Sequence, residues 1–358
     1  MYKKVLVVDD SALMRRVICD IIDSDERFRV VSRATNGMEA LELLRRNKYD
    51  AVILDVNMPK MNGLELLENL GKEKIETKAI MASTDTKEGA KVTLDALELG
   101  AVDFIHKPDN VNDCRADSFK SKLINILLAV TESEHIPQYG KTKPKEDDFT
   151  NKVIEMARKH TASVKSSKII AIASSTGGPK ALQSVIPKFP ADIDAPIVLV
   201  QHMPKGFTAS LAERLDEMSK VKVKEAEEGD ILAKGCVYLA RGGKHMNIIR
   251  NGSSCMIHYT DEPNREGVKP CANYMYESLA NCDFDCTVCV VMTGMGADGT
   301  EGIRNLKNKK KVYVISQDQE SCTVYGMPKS IAQAKLSDQV VGLEQIAQEI
   351  ILQVGVTK

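Results

Sequence analysis

Three side chains of the types that could together perform acyl transfer stand far apart in this sequence: Ser175, His202 and Asp298. Ser175 lies in "SKIIAIASSTGGPKAL" (167–182), where an apolar run climbs to two serines and breaks on Thr176, Gly177 and Gly178. Pro179 follows, then helical spacing. A glycine-rich turn that opens a helix can cradle a phosphate, or it can present a nucleophile on a sharp strand-to-helix turn. The spacings of dinucleotide and P-loop sites, GxGxxG and GK[ST], are missing here. The run Ala173-Ser174-Ser175-Thr176-Gly177 instead matches the nucleophile elbow GxSxG, with Ala in place of the first Gly and Ser175 at the centre. Pro179 suits a first helical turn, where its missing N–H costs nothing.

A serine hydroxyl needs a base, and the base needs an orienting group. The apolar run "PIVLVQHM" ends on His202, and "CTVCVVM" leads into "TGMGADGT", which carries Asp298. If these runs are neighbouring parallel strands, all three side chains fall on one sheet edge. Ser175 would then attack, His202 would take and return the proton, and Asp298 would hold the imidazole. Backbone N–H groups from Thr176 to Gly178 and near Met295 are the candidate oxyanion donors, with Gly294 and Gly296 allowing a close approach. His245, after the glycine-rich "ARGG", and His258 are alternative bases; His245 ranks below His202 because it does not end a strand of the apparent central sheet.

A second constellation lies in the first 125 residues. Asp9 and Asp10 follow one apolar run, Asp55 ends another, Ser83 ends a third, and Lys107 precedes Pro108 after a fourth. Clustered carboxylates repel unless a cation neutralises them, and a hard divalent ion such as Mg²⁺ suits carboxylate oxygens. Acids, one hydroxyl and one lysine are the set that phosphorylation of an aspartate requires.

The elements that must position these groups are legible as alternating strand-like and helix-like runs. "KVLVVDD", "FRVVSRA", "YDAVILDVNMP", "TKAIMAST" and "AVDFIHKP" read as strands with helices between them. From residue 167 the alternation resumes with "KIIAIAS", "APIVLVQHM", "GCVYLA", "MNIIRN", "SCMIHYT", "CTVCVVMTG" and "KKVYVISQ", and ends in the amphipathic "LEQIAQEIILQVG". The pattern predicts an α/β chain of two doubly wound domains with mainly parallel sheets, the second carrying a hairpin-like insertion near residues 236 to 260. The expected division is a first domain at 1–125, a linker at 126–166 rich in polar residues, proline and glycine, and a second domain at 167–358. Within the linker, "FTNKVIEMARKHTASVK" has helical spacing.

Composition narrows the function classes. The net charge of −1 implies no general attraction to nucleic acid or membrane, and the second half has no basic recognition helix. No apolar stretch approaches a bilayer span and the N-terminus does not read as a signal peptide, so a cytoplasmic location is expected. Nine scattered cysteines argue against a disulfide framework. Cys282, Cys286 and Cys289 lack a fourth ligand and a paired motif, so packing outweighs zinc as their role.

The first 120 or so residues resemble the response-regulator receiver domain, through "VDD" at 8–10, "LDVNMPKMNG" at 54–63, Ser83 and "KP" at 107–108. The resemblance implies a flavodoxin-like fold in which Asp55 accepts phosphate from a histidine kinase. It also implies that Asp9, Asp10, Asp55 and the Asn57 carbonyl hold Mg²⁺, and that Phe104 is a switch aromatic beside Ser83 and Lys107. "STGGPKAL", "QHMPKGFTASLAERLD", "LARGGKHM", "TGMGADGTEGI" and "QDQESCTVYGMP" resemble the catalytic domain of the chemotaxis protein-glutamate methylesterases over about residues 168–330. That resemblance implies a Ser175–His202–Asp298 triad, oxyanion and orientation roles for the Met295 N–H and the Thr176 hydroxyl, and no cofactor at the esterase site. The substrates implied are glutamyl methyl esters, and specific glutamines for deamidation, on chemoreceptors. A substrate on a helical receptor surface calls for an open, shallow site, which the first domain could cover until Asp55 is phosphorylated. Three residues depart from the family pattern: Ser174 for a small apolar residue, Lys205 for a frequent proline and Asn273 for a frequent aspartate. The last two are expected to bear on receptor-surface recognition.

Overall fold

Five strand-like runs in the N-terminal part form a single parallel sheet. The computed structural model describes residues 2–84, 87–107, 117–137, 139–140, 152–155, 157 and 167–357. Pro108 and most of the expected helix at 149–165 lie outside the described residues. The chain divides into two units, Met1–Lys143 and Pro144–Lys358.

In the first unit the strands β1 (Lys3–Val8), β2 (Phe28–Ala34), β3 (Ala51–Asp55), β4 (Ala79–Ser83) and β5 (Asp103–His106) stand in the order β2-β1-β3-β4-β5. All pairs are parallel. The helices are α1 (Ala12–Asp23), α2 (Gly37–Arg46), α3 (Gly63–Glu73), α4 (Lys87–Glu98) and α5 (Asp117–Glu132). Val17, Ile18 and Ile22 of α1 and Leu123 and Leu127 of α5 pack on Val5, Val7, Ile53 and Ile80 of the sheet. This is the doubly wound α/β arrangement that the alternation predicts.

The segment after residue 125 is less of a free linker than its composition implies. α5 continues to Glu132, and the Lys78 ammonium donates to the Val130 and Ser133 carbonyls at its end. Beyond it, the Tyr139 hydroxyl donates to the Thr77 carbonyl at 2.8 Å and accepts from the Ala79 N–H, while the Gly140 N–H bonds Leu99 O. Tyr139 and Gly140 are therefore held to the first unit.

The second unit has a seven-stranded sheet. Its strands are β6 (Lys168–Ser174), β7 (Ile197–Gln201), β8 (Lys222–Glu225), β9 (Cys236–Leu239), β12 (Cys286–Val291), β13 (Val312–Gln317) and β14 (Gln339–Val341), in the order β14-β13-β12-β6-β7-β9-β8, all parallel. A separate antiparallel hairpin joins β10 (His245–Asn251) to β11 (Ser254–Thr260). The helices are α6 (Gly178–Val185), α7 (Phe207–Met218), α8 (Ala272–Ser278), α9 (Thr300–Lys307), α10 (Met327–Gln333) and α11 (Leu343–Val354).

The hairpin begins later than the sequence suggests. Residues 236–239 belong to the main sheet, between β7 and β8, because "CVYL" is buried at all four positions and pairs on both sides. Two short strands escaped the pattern. β8, "KVKE", lies at a sheet edge with only Val223 buried, and β14 has only three residues. The core of the unit gathers Ala171, Val198, Met246, Tyr276, Val291 and Ile303, so sheet, hairpin and α8 share one interior.

Candidate active site and phosphoacceptor site

In the second unit, register brings the hydrolytic candidates together. Ser174 pairs with Gln201 at the carboxyl ends of β6 and β7, so the next residues, Ser175 and His202, emerge side by side. The His202 N–H bonds Ser174 O at 3.0 Å, and on the other flank the Ser175 N–H bonds Thr293 O at 3.0 Å. The following loop presses onto the serine. A Cβ at Gly294 would come within 2.7 Å of the Ser175 Cβ, so only glycine fits. Gly177 takes φ 75° at the start of α6, with Pro179 in the first turn.

His202 Nε2 lies 2.8 Å from Asp298 Oδ2. With Nε2 on the carboxylate, Nδ1 is the nitrogen left for a hydroxyl, the reverse of the usual tautomer assignment. The Asp298 carboxylate is 2% exposed, and it also accepts from the Ala272, Asn273 and Gly299 amides and from the Cys271 thiol. Burial works to raise its pKa, but the His202 hydrogen bond and charge, the Cys271 thiol and the Ala272 amide outweigh it and hold the carboxyl below its ordinary value. Asp298 is thus an anion at neutral pH, tied to the start of α8.

Ser175 is half-buried, and its hydroxyl makes no hydrogen bond to protein among the described residues. Apo hydroxyl–imidazole contacts often close only when substrate binds. The neighbouring Ser174 is fully buried and gives its hydroxyl to Gln201 Oε1 at 2.7 Å, which removes it from contention as the attacking group. Met295 is 37% exposed beside Gly296, and its amide donates to no acceptor among the described residues. Thr176 is buried, with its carbonyl accepting from the Thr293 hydroxyl.

The alternative bases fall elsewhere. His245 is fully buried, and its Nδ1 accepts from the Cys271 N–H at 3.2 Å, behind the Asp298 anchor. Burial and the nearby Lys269 charge push its pKa down. His258 lies on the hairpin, with Nδ1 2.9 Å from Glu228. Asn273 does not serve a recognition surface. It is fully buried, and its Oδ1 accepts from the Gly299 and Gly302 amides at the start of α9. Lys205 is exposed.

Several supporting residues were not singled out from the sequence. Gln201, 1% exposed, accepts from Ser174 and donates to the Ser175 and His202 carbonyls, joining the two strand ends. Thr293 bonds the Thr176 carbonyl and the Val324 backbone, and its own N–H bonds Gln317 Oε1. Gln201 and Gln317 both end apolar strands in a buried amide, a signal that is visible in the sequence once the strands are known.

In the first unit the expected groups also share one edge. Lys107 Nζ is 2.7 Å from Asp9 Oδ2 and 2.7 Å from Asp55 Oδ1. Candidate ligand atoms of Asp9, Asp10 and Asp55 lie within 4.8 Å of one another. Burial raises the Asp55 pKa and Lys107 opposes it, with the Asp9 charge adding to the rise. A Cβ at Gly63 would meet Asp55 O at 2.5 Å, so the turn after β3 requires glycine there. Asn57 is exposed on that turn. The Ser83 hydroxyl is directed to the Gly89 and Thr84 carbonyls at 3.4 Å, and Phe104 is buried in β5. The donor set is all oxygen with one clearly exposed acid, which fits a hard divalent cation. The three cysteines 282, 286 and 289 form no metal cluster among the described residues.

Comparison with known proteins gives a family match for each of the two segments. Residues 170–350 match the family model described as CheB methylesterase, and residues 5–117 match that of the response regulator receiver domain. A protein-glutamate methylesterase/protein-glutamine glutaminase of Halalkalibacterium halodurans is 43% identical over 98% of both chains. Its namesake in Bacillus subtilis is 39% identical over 97% of both chains. The crystal structure of the Thermotoga maritima CheB methylesterase catalytic domain superposes with a TM-score of 0.51 at 39% identity, covering 53% of this chain and all of that one. With both matched segments in the same order and near-complete coverage of such relatives, the chain belongs to the CheB methylesterase family and carries a response regulator receiver domain.

Proposed function

We propose that this protein is a phosphorylation-activated serine hydrolase that removes methyl groups from glutamyl methyl esters of chemoreceptors in the cytoplasm, and that deamidates receptor glutamines at the same site. The observation that carries the reading is the His202–Asp298 pair at 2.8 Å beside a half-buried Ser175 on one sheet edge. Ser175 Oγ attacks the ester carbonyl carbon while His202 Nδ1 takes its proton. The Met295 amide and Thr176 receive the oxyanion. The C–O bond to the methoxy group then breaks, and methanol leaves with the proton held by His202. Water, deprotonated by the same nitrogen, releases the receptor γ-carboxylate and restores Ser175. With an amide substrate, ammonia leaves in place of methanol.

Gln201 ties the nucleophile to the base, so its loss should let both drift. Gln201→Leu is expected to lower kcat/KM for methanol release by about 10²-fold, the scale of a misplacement of about 1 Å. An unchanged rate would show that the two strand ends hold themselves.

Control resides in the first unit. Asp55 is the phosphoacceptor, with a histidine kinase as donor, and Lys107 is placed to pair with the incoming anion. Asp9, Asp10, Asp55 and the Asn57 carbonyl would hold Mg²⁺, which when bound neutralises charge developing on the phosphoryl oxygens. The new charge, about −1.5 to −2, would draw Ser83 from its long contacts with the helix backbone and shift Phe104. The test is methanol release from methylated receptor membranes with and without a small phosphodonor. Wild type should be stimulated, whereas Asp55→Asn should keep the basal rate and show no stimulation. Equal stimulation of both would exclude Asp55 as the acceptor.

A further inference from the structure

Asp298 carries one contact that the hydrolytic scheme does not use. The Cys271 thiol, fully buried, lies 3.0 Å from Asp298 Oδ1, and the Cys271 N–H lies 3.2 Å from His245 Nδ1. The next two amides, from Ala272 and Asn273, bond the same carboxylate at 2.6 and 2.9 Å. The thiol is the only side-chain donor to Asp298 besides His202 among the described residues. The Ala272 amide bonds Oδ2, whereas the Asn273 and Gly299 amides bond Oδ1, so the backbone sets the rotation of the carboxylate about Cβ–Cγ. The thiol is a further donor on Oδ1, and it reinforces the rotation that leaves Oδ2 facing His202.

We propose that Cys271 is a positioning residue for the hydrolytic site: its thiol donates to Asp298 Oδ1 and so helps to orient the carboxylate that holds His202, while His245 anchors the Cys271 backbone. The inference rests on the assignment of Ser175, His202 and Asp298 to catalysis. The thiol acts as a donor and not as a nucleophile. Burial and the adjacent Asp298 charge both favour its protonated form, and a buried S–H of this kind is chemically inert. His245 serves the same arrangement from behind, since its ring accepts the Cys271 amide and packs edge-on against Tyr274 at 4.7 Å.

The test uses the full chain with phosphodonor and methylated receptor membranes, and reads kcat and KM for methanol release. Cys271 has extended backbone, φ −119° and ψ 129°, which a β-branched residue adopts without strain. Cys271→Val therefore fills the thiol volume without donating, and Cys271→Ser keeps a donor. Cys271→Val is expected to lower kcat about tenfold with KM within about twofold, and Cys271→Ser to stay within about threefold of wild type. A Val variant with wild-type kcat, a Ser variant as slow as Val, or a loss confined to KM would overturn the proposal. Ser175→Ala, run alongside, separates the two levels. If it is inactive while Cys271→Val is wild-type, only the positioning role fails. If Ser175→Ala stays active, the catalytic assignment fails and takes this role with it.

Discussion

Replacing Ser175 by Ala is expected to lower kcat for methanol release by about 10⁵- to 10⁶-fold, the scale seen when a triad serine is removed. The size of the effect follows from the absence of a substitute. Ser174 is the adjacent hydroxyl, but it is fully buried and spends its proton on Gln201 Oε1. Its carbonyl is also held, by the His202 N–H, so it cannot rotate into the site without breaking the junction of β6 and β7. Ser174→Ala should therefore cost far less than Ser175→Ala. Parallel assays of the two variants at saturating phosphodonor check this, and a loss shared equally between them would contradict it.

Asp298→Asn is the second large effect, with an expected drop of about 10⁴-fold in kcat. The carboxylate accepts from Cys271, Ala272, Asn273 and Gly299 as well as His202. An amide at this position offers one acceptor oxygen and one donor nitrogen. Either the nitrogen faces His202 Nε2 and forces the proton onto Nδ1, where the Ser175 proton must go, or it faces backbone amides that are themselves donors. Both arrangements disable the base. The same carboxylate also contributes to stability. Its pKa is held below the ordinary aspartate value of about 3.9, so its contribution is present in full above that value and is lost as pH falls through the lower folded-state pKa. In an acid titration followed by circular dichroism, Asp298→Asn should lack the part of the acid-induced destabilisation that this group supplies.

Much of this was legible in the sequence, for identifiable reasons. Parallel strands buried on both faces read as apolar runs, and their carboxyl ends are where polar residues become affordable, so Asp55, Ser83, Ser175 and His202 stand out against their neighbours. What did not show was pairing that depends on the third dimension. "KVKE" at the sheet edge carries no apolar alternation strong enough to mark a strand. "CVYL" looked like the start of the hairpin because its partners, β7 and β8, precede it by a helix or a loop. Asn273 looked like a surface residue because polarity is its only visible property in one dimension, whereas its Oδ1 in fact receives the first amides of α9. Cys271 carries no signal in the sequence, since only the fold brings it to Asp298.

The central claim is that Ser175 itself takes the acyl group, and nucleophile partitioning tests it most directly. Methylated receptor membranes are turned over by the phosphodonor-activated enzyme in the presence of hydroxylamine, a strong nucleophile toward acyl-serine. Methanol and the modified receptor residue are then quantified together. The account predicts glutamyl hydroxamate in place of part of the carboxylate, undiminished methanol release, and neither product above blank with Ser175→Ala. Methanol release that yields only carboxylate at every hydroxylamine concentration would mean that water attacks the ester directly, and would contradict it.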